Sequence, residues 1–77
     1  MTIPHDLLVD TTGLLCPEPV MLLHSAVRRL AQGQVIKVLA TDPSTTRDIP
    51  KFCRFLGHEL LDQQQIELSY EYFIRCG

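Results

Sequence analysis

The eight residues Gln34–Thr41, QVIKVLAT, constrain the fold most. They are β-branched and almost wholly apolar, so they read as a central strand covered on at least one face. The chain has 77 residues, enough for one small domain spanning 1–77, with nearly every apolar side chain drawn into one core. The cover must come from the neighbouring segments, and both have helical period. Upstream, Val20, Leu23, Val27 and Leu30 recur along one face with Ala26 beside them. That helix is expected to start at Pro17 and to end at Gln32-Gly33, where Gly33 suits a left-handed cap. Downstream, Ile49, Phe52, Cys53 and Leu56 form one stripe expected to be buried, Arg47, Lys51 and Arg54 an opposite basic one, and Gly57 ends both. Pro50 disfavours helical backbone at Ile49. This predicts a loose turn over Thr45–Asp48, then a helix of about two turns capped by Asp48.

Three more segments read as strands. Asp6–Asp10, DLLVD, is a short apolar run that Thr11-Thr12-Gly13 breaks. HELLDQQ, from His58, is a second, with a turn expected near Gln64-Gln65. From Ile66 to Cys76, IELSYEYFIRC alternates. Ile66, Leu68, Tyr70, Tyr72, Ile74 and Cys76 face one way, the polar residues the other, and Phe73 breaks the rule. The order β-α-β-α-β-β gives parallel first strands, a right-handed crossover and a terminal hairpin. The expected class is α+β: a two-layer α/β sandwich whose mixed four-stranded sheet carries two helices on one face.

Several classes are disfavoured. No apolar run approaches the roughly 20 residues of a membrane span. The opening MTIPHDLLVD lacks the basic and long apolar regions of a signal peptide. Three cysteines without CxxC spacing do not make a disulfide scaffold, so a reducing, cytoplasmic setting is expected. A net charge of −2 exerts no global pull on nucleic acid.

The chemistry concentrates at GLLCPEPV, residues 13–20. Pro17 drives Cys16 into extended backbone just ahead of a helix, where an N-cap residue belongs. Its sulfur would then lie near free backbone amides, those of Glu18 and Val20, and the positive end of the helix dipole. That setting lowers a thiol pKa. No second cysteine lies close enough in sequence to close a local disulfide. A lone, exposed, activated thiol suits carriage of a covalent adduct. The bland alternative is a small buried hydrophobe beside Leu14 and Leu15.

VDTTGLLCPEPVM, ATDPSTTRDIPKFCRFLGHELL and the closing YEYFIRCG resemble the TusA family of small sulfur-carrier proteins, from about Leu8 to the end. The resemblance rests on a Gly-Leu-x-Cys-Pro-x-Pro block and an Asp-Pro…Asp-Ile-Pro-x-Phe-Cys block. It implies the same sandwich. It implies that Cys16 accepts sulfane sulfur from a cysteine desulfurase as a persulfide and passes it to a downstream relay protein, in a route ending in tRNA 2-thiouridine. Other members serve molybdenum-cofactor enzymes or sulfur oxidation. Gly13, Pro17, Glu18 and Pro19 would shape the loop, and the Asp42-Pro43 and Asp48-Ile49-Pro50 segments would support it. Leu15 and His24 depart from the basic residues expected there, the hairpin lacks an Asp-Gly turn, and Cys76 is extra.

The remaining candidates are weaker. Cys53 reads as core, and Cys76, one residue from the end, as incidental and prone to fray. His5, His24 and His58 have no metal-ligand spacing, so no metal is expected. His24 is about two turns from Cys16, too far for a base. Arg28, Arg29, Arg47, Lys51 and Arg54 lie on the helical layer and are read as a docking face for acidic partner proteins. A regulatory module binding through that face, with Cys16 structural, is the rival. Without interleaved aromatics, stable nucleic-acid binding is not expected. The reading is thus a monomeric sulfurtransferase-type carrier, more a substrate of its partners than a turnover catalyst. It would need no dissociable cofactor and have no placed acid or base.

Overall fold

The computed structural model describes residues 3–77; Met1 and Thr2, which open the stretch read for a leader, lie outside the described residues. Six elements follow in order: β1 (Leu7–Thr11), α1 (Glu18–Val27), β2 (Val35–Ala40), α2 (Thr45–Leu56), β3 (Glu59–Ile66) and β4 (Ser69–Arg75). The sheet runs β1-β2-β4-β3. β1 and β2 are parallel, with Val9 beside Val38. β4 is antiparallel to β2 and to β3. This is the expected mixed sheet. One of its faces sends Val9, Ile36, Val38, Ala40, Tyr72 and Ile74 into a core shared with Leu23 and Ala26 of α1 and Ile49, Phe52 and Cys53 of α2. Apolar burial on that face is the main force holding the layers together.

The elements differ from the sequence expectations in five places. α1 stops at Val27, not at Gly33. Its last turn tightens into three-residue bonds, Arg29 N–H to Ala26 O at 3.0 Å and Leu30 N–H to Val27 O at 3.3 Å. Gly33 instead donates to Cys76 O at 2.8 Å, in the turn that enters β2.

α2 begins at Thr45, three residues before Asp48, and runs through Pro50. Asp42 is the reason. Its carbonyl accepts Thr45 N–H at 3.0 Å and Thr45 Oγ1–H at 2.7 Å. Its carboxylate accepts the Ser44 N–H and hydroxyl at 3.0 and 2.8 Å. The first turn is thereby nucleated ahead of the proline. The bond that Pro50 cannot make would have gone to the carbonyl of Thr46, an exposed residue where water can serve. Gly57 ends α2 as expected, left-handed at φ +76°.

The hairpin turns at Glu67-Leu68 rather than near Gln64-Gln65, so β3 continues through the glutamines. Ile66 pairs with Ser69, and Glu67 takes the left-handed conformation at φ +57°. Ile66 and Leu68, expected to face inward, are exposed at this tip. Cys76 does not fray. It is buried, donates its N–H to Gln34 O at 2.8 Å, and is followed by Gly77, which donates to His58 Nδ1 at 3.0 Å. Phe73 is buried on the open face, where its β2 neighbour Lys37 lays its stem and ammonium over the ring at 5.6 Å.

Candidate functional site

The loops that leave β1 and β2 emerge at the same edge of the sheet, beyond the carboxyl ends of two parallel strands, where open α/β sheets place their sites. The β1–α1 loop is pinned there. Thr11, fully buried, donates its hydroxyl to Leu39 O at 2.6 Å. Leu14 N–H returns to Thr11 O at 3.0 Å, a reversal made through Gly13 at φ +82°. A Cβ on Gly13 would meet open space, so the demand is on backbone conformation alone. Two bonds then tie this loop to the next: Gly13 N–H to Thr41 Oγ1 at 2.9 Å, and Cys16 N–H to Asp42 Oδ2 at 2.7 Å. The expectation that the Asp42 segment supports the cysteine loop thus has a specific form.

Cys16 is exposed, whereas Cys53 and Cys76 are buried. It is not the N-cap of α1. That position falls to Pro17, and Glu18 and Pro19 begin the helix. Glu18 N–H, one of the two amides expected to face the sulfur, donates instead to Leu15 O at 2.9 Å. The thiol turns to α2 and donates to Asp48 Oδ2 at 3.4 Å. Asp48 is free to receive it because it lies within α2 rather than capping it. Its other oxygen takes Arg47 Nε–H at 3.0 Å.

This arrangement reverses the expected electrostatics. The hydrogen bond to Asp48 favours the neutral thiol, and partial desolvation by its neighbours and the Asp48 charge add to it, so the Cys16 pKa is raised, not lowered. The side chain of Ser44 opposes the shift; the Asp42 charge reinforces it. Asp48 is held below the usual carboxylate range by Arg47 first, against a burial penalty. Asp42 is held low by the Ser44 amide and hydroxyl and then by the Cys16 amide. The expectation of no placed acid or base is likewise corrected: a carboxylate stands in contact with the sulfur.

Beside Cys16 a groove of about 340 Å³ runs between the helices, walled by Pro17, Val20 and His24 of the first and Asp48, Lys51, Phe52, Phe55 and Leu56 of the second. It is mostly apolar. Phe55 is 73% exposed, and Leu15 next to the cysteine 68%. Solvent-facing apolar side chains clustered at a reactive group suit a protein partner.

A family model described as Sulfurtransferase TusA matches residues 8–76. The chain belongs to the TusA family. It is 64% identical over 75 residues to the sulfur carrier protein TusA of Pseudomonas paraeruginosa PA7, covering 97% of this chain and 95% of that one. It is 68% identical over 71 residues to that of Pseudomonas entomophila L48, covering 92% and 89%. The fold matches the crystal structure of a SirA-like protein from Desulfitobacterium hafniense with a TM-score of 0.82 at 23% identity, covering 94% and 99% of the two chains.

Against this TusA-family frame, the residues singled out in the sequence divide. Gly13, Cys16, Pro17, Glu18 and Pro19 do lie in one loop and helix start, with Pro19 buried under it. Arg47 sits on Asp48 at the sulfur, and Lys51 lines the same groove with its ammonium over Phe55 at 5.8 Å. Arg54 is exposed a turn further along α2. Arg28 and Arg29 follow the other end of α1, about 15 Å of helix from the cysteine. The five do not form one patch at the sulfur. His24 packs edge-on to Phe52 at 4.9 Å, on the groove wall. Among the described residues no group of three or more His, Cys, Asp or Glu side chains is placed to hold a metal ion.

The resemblance placed the Asp48 segment in support of the loop but not in contact with the sulfur; Phe55 as a groove wall was missed, and Leu56, expected on the buried stripe, is exposed and lines the groove. The signal was available for Asp48. Two helices that each follow one of a parallel strand pair start side by side, so residues at the two starts meet.

Proposed function

We propose that this chain is a sulfur carrier that takes up sulfane sulfur on Cys16. The observation that carries the reading is the placement of Cys16: the exposed one of three free cysteines, held by its own amide at the mouth of an apolar groove. Membership of a family whose relatives are named sulfur carriers supports it.

In loading, the Cys16 thiolate attacks the terminal sulfur of a persulfide on a cysteine desulfurase. A sulfur–sulfur bond forms to Cys16, the donor's sulfur–sulfur bond breaks, and the donor cysteine leaves as thiolate, as in thiol–disulfide exchange. Unloading repeats the step with an acceptor thiol on a relay protein. Electrons balance in each direction, so no cofactor is required. The fixed amide and the fixed groove orient the sulfur, and Phe55, Leu56 and Leu15 offer apolar surface to successive partners. Delivery toward tRNA 2-thiouridine is the acceptor route we favour, with a cytoplasmic, monomeric carrier. Among the described residues no helix is long and apolar enough to cross a membrane. The separation of Arg28 and Arg29 from Arg47 and Lys51 speaks against the rival docking module built on one basic face.

The test uses radiolabelled cysteine and a desulfurase, read on non-reducing gels. The wild type, Cys53→Ser and Cys76→Ser should carry label that dithiothreitol removes, and Cys16→Ser none. Label retained by Cys16→Ser would end the proposal.

A further inference from the structure

The thiol of Cys16 faces a carboxylate, an odd companion for a sulfur that must carry negative charge when it works. We propose that Asp48 is a positioning residue that separates the empty from the loaded carrier: it holds the empty thiol as its hydrogen-bond donor and turns the persulfide anion away, along the groove toward Lys51. The inference rests on the reading of Cys16 as a persulfide carrier.

The geometry shows the first position and leaves the groove open for the second. In the empty state the Cys16 proton lies between Sγ and Asp48 Oδ2, 3.4 Å apart, and Arg47 fixes Oδ1 from the other side. A persulfide is a stronger acid than its parent thiol, so the loaded group sheds that proton to solvent. It then has nothing to donate to Asp48 and meets it as a like charge. The side chain is also longer by one sulfur–sulfur bond, about 2 Å. Lys51 lies three residues beyond Asp48 on the same face of α2, within about 6 Å by helix geometry, and both line the groove that Cys16 opens. Of the other charged or titratable groups around the sulfur, Arg47 also feels the Cys16 charge but is held through Nε on Asp48 Oδ1. The carboxylate of Asp42 is engaged by the Cys16 and Ser44 amides. Glu18 is exposed on the first turn of α1, and His24 packs edge-on to Phe52. The empty carrier is thus held protonated and slow to oxidise, and the loaded sulfur is presented in the groove where an acceptor docks.

The test is the pH profile of Cys16 alkylation by iodoacetamide, located by peptide mapping, in the empty protein and after loading with inorganic polysulfide. In the empty protein Asp48→Asn should lower the midpoint. Alkylation at neutral pH should then quicken by about threefold for each tenfold gain in thiolate, because lower nucleophilicity offsets the rest. Asp48→Glu should restore the wild-type midpoint, and Arg47→Gln, which strips the counter-charge from Asp48, should raise it. In the loaded protein Lys51→Met should raise the midpoint more than it does in the empty one. An Asp48→Asn midpoint at or above wild type, or a Lys51→Met shift equal in both states, overturns the assignment. If polysulfide leaves no sulfur on Cys16, the carrier reading itself fails. Sulfur retained with midpoints indifferent to Asp48 removes only the positioning role.

Discussion

Replacing Thr45 by valine should destabilise the protein more than removing the hydroxyl of its partner Tyr72. The two side chains meet in the core at 2.9 Å, each about 1% exposed. Thr45 has one proton, and it goes to Asp42 O at 2.7 Å. Tyr72 must therefore be the donor in their shared bond. Tyr72→Phe removes a donor and leaves the Thr45 proton satisfied, a loss of about 1 kcal/mol. Thr45→Val strands the buried Tyr72 O–H, at about 1–3 kcal/mol, and also removes the bond to Asp42, about 1 kcal/mol more. A cost of about 2–4 kcal/mol in a domain this small lowers Tm by about 8–30 °C. Urea unfolding of both single variants and of the double variant decides it. The double variant should be more stable than Thr45→Val alone, because the orphaned donor is gone. A Thr45→Val cost no larger than that of Tyr72→Phe, or a double variant weaker than Thr45→Val, would refute the assignment of donors. The same substitution leaves the Asp42 carbonyl with the Thr45 N–H alone, so hydrogen exchange of the Cys16 amide, held by the Asp42 carboxylate, should quicken in Thr45→Val and not in Tyr72→Phe.

Leu23→Ala, at a fully buried position between α1 and the sheet, should cost about 2–5 kcal/mol in urea unfolding. Gly57→Ala should cost about 1 kcal/mol by the same measurement, a purely conformational penalty, since a Cβ at φ +76° meets no atom within 4 Å. Asp42 and Asp48 are both held below their ordinary values, so what they contribute to the loop is present above about pH 4 and lost as pH falls through their folded values. The Cys16 amide proton shift, followed by NMR, should stay constant from neutral pH down to about pH 4 and move only below it.

The elements and the mixed sheet were legible because the signals were local and agreed; that β4 rather than β3 lies beside β2 was not. QVIKVLAT could only be a covered strand, and the stripes of Leu23 and Ala26, and of Ile49 and Phe52, could only be its cover. Gly57 marked a helix end for the same reason: its conformation is a property of one residue. Errors arose where a local rule met a distant partner. Pro50 argued for a late start to α2, but Asp42 had already organised the first turn through its carbonyl and carboxylate. Cys76 looked free to fray until Gln34 and Gly33 were brought alongside it across the sheet. The hairpin turn was misplaced because the pairing of β3 with β4 carries the strand through glutamines that have no strand signature of their own. At the site, the Cys-Pro-Glu-Pro stretch located the sulfur, but its electrostatics depended on Asp48, 32 residues away in sequence.

One measurement bears most directly on the sulfur-bearing role of Cys16. After incubation with a desulfurase and cysteine, the intact mass of the carrier should rise by one sulfur atom, with the gain mapped to the peptide that holds Cys16. No gain, or a gain mapped to Cys53 or Cys76, contradicts the account.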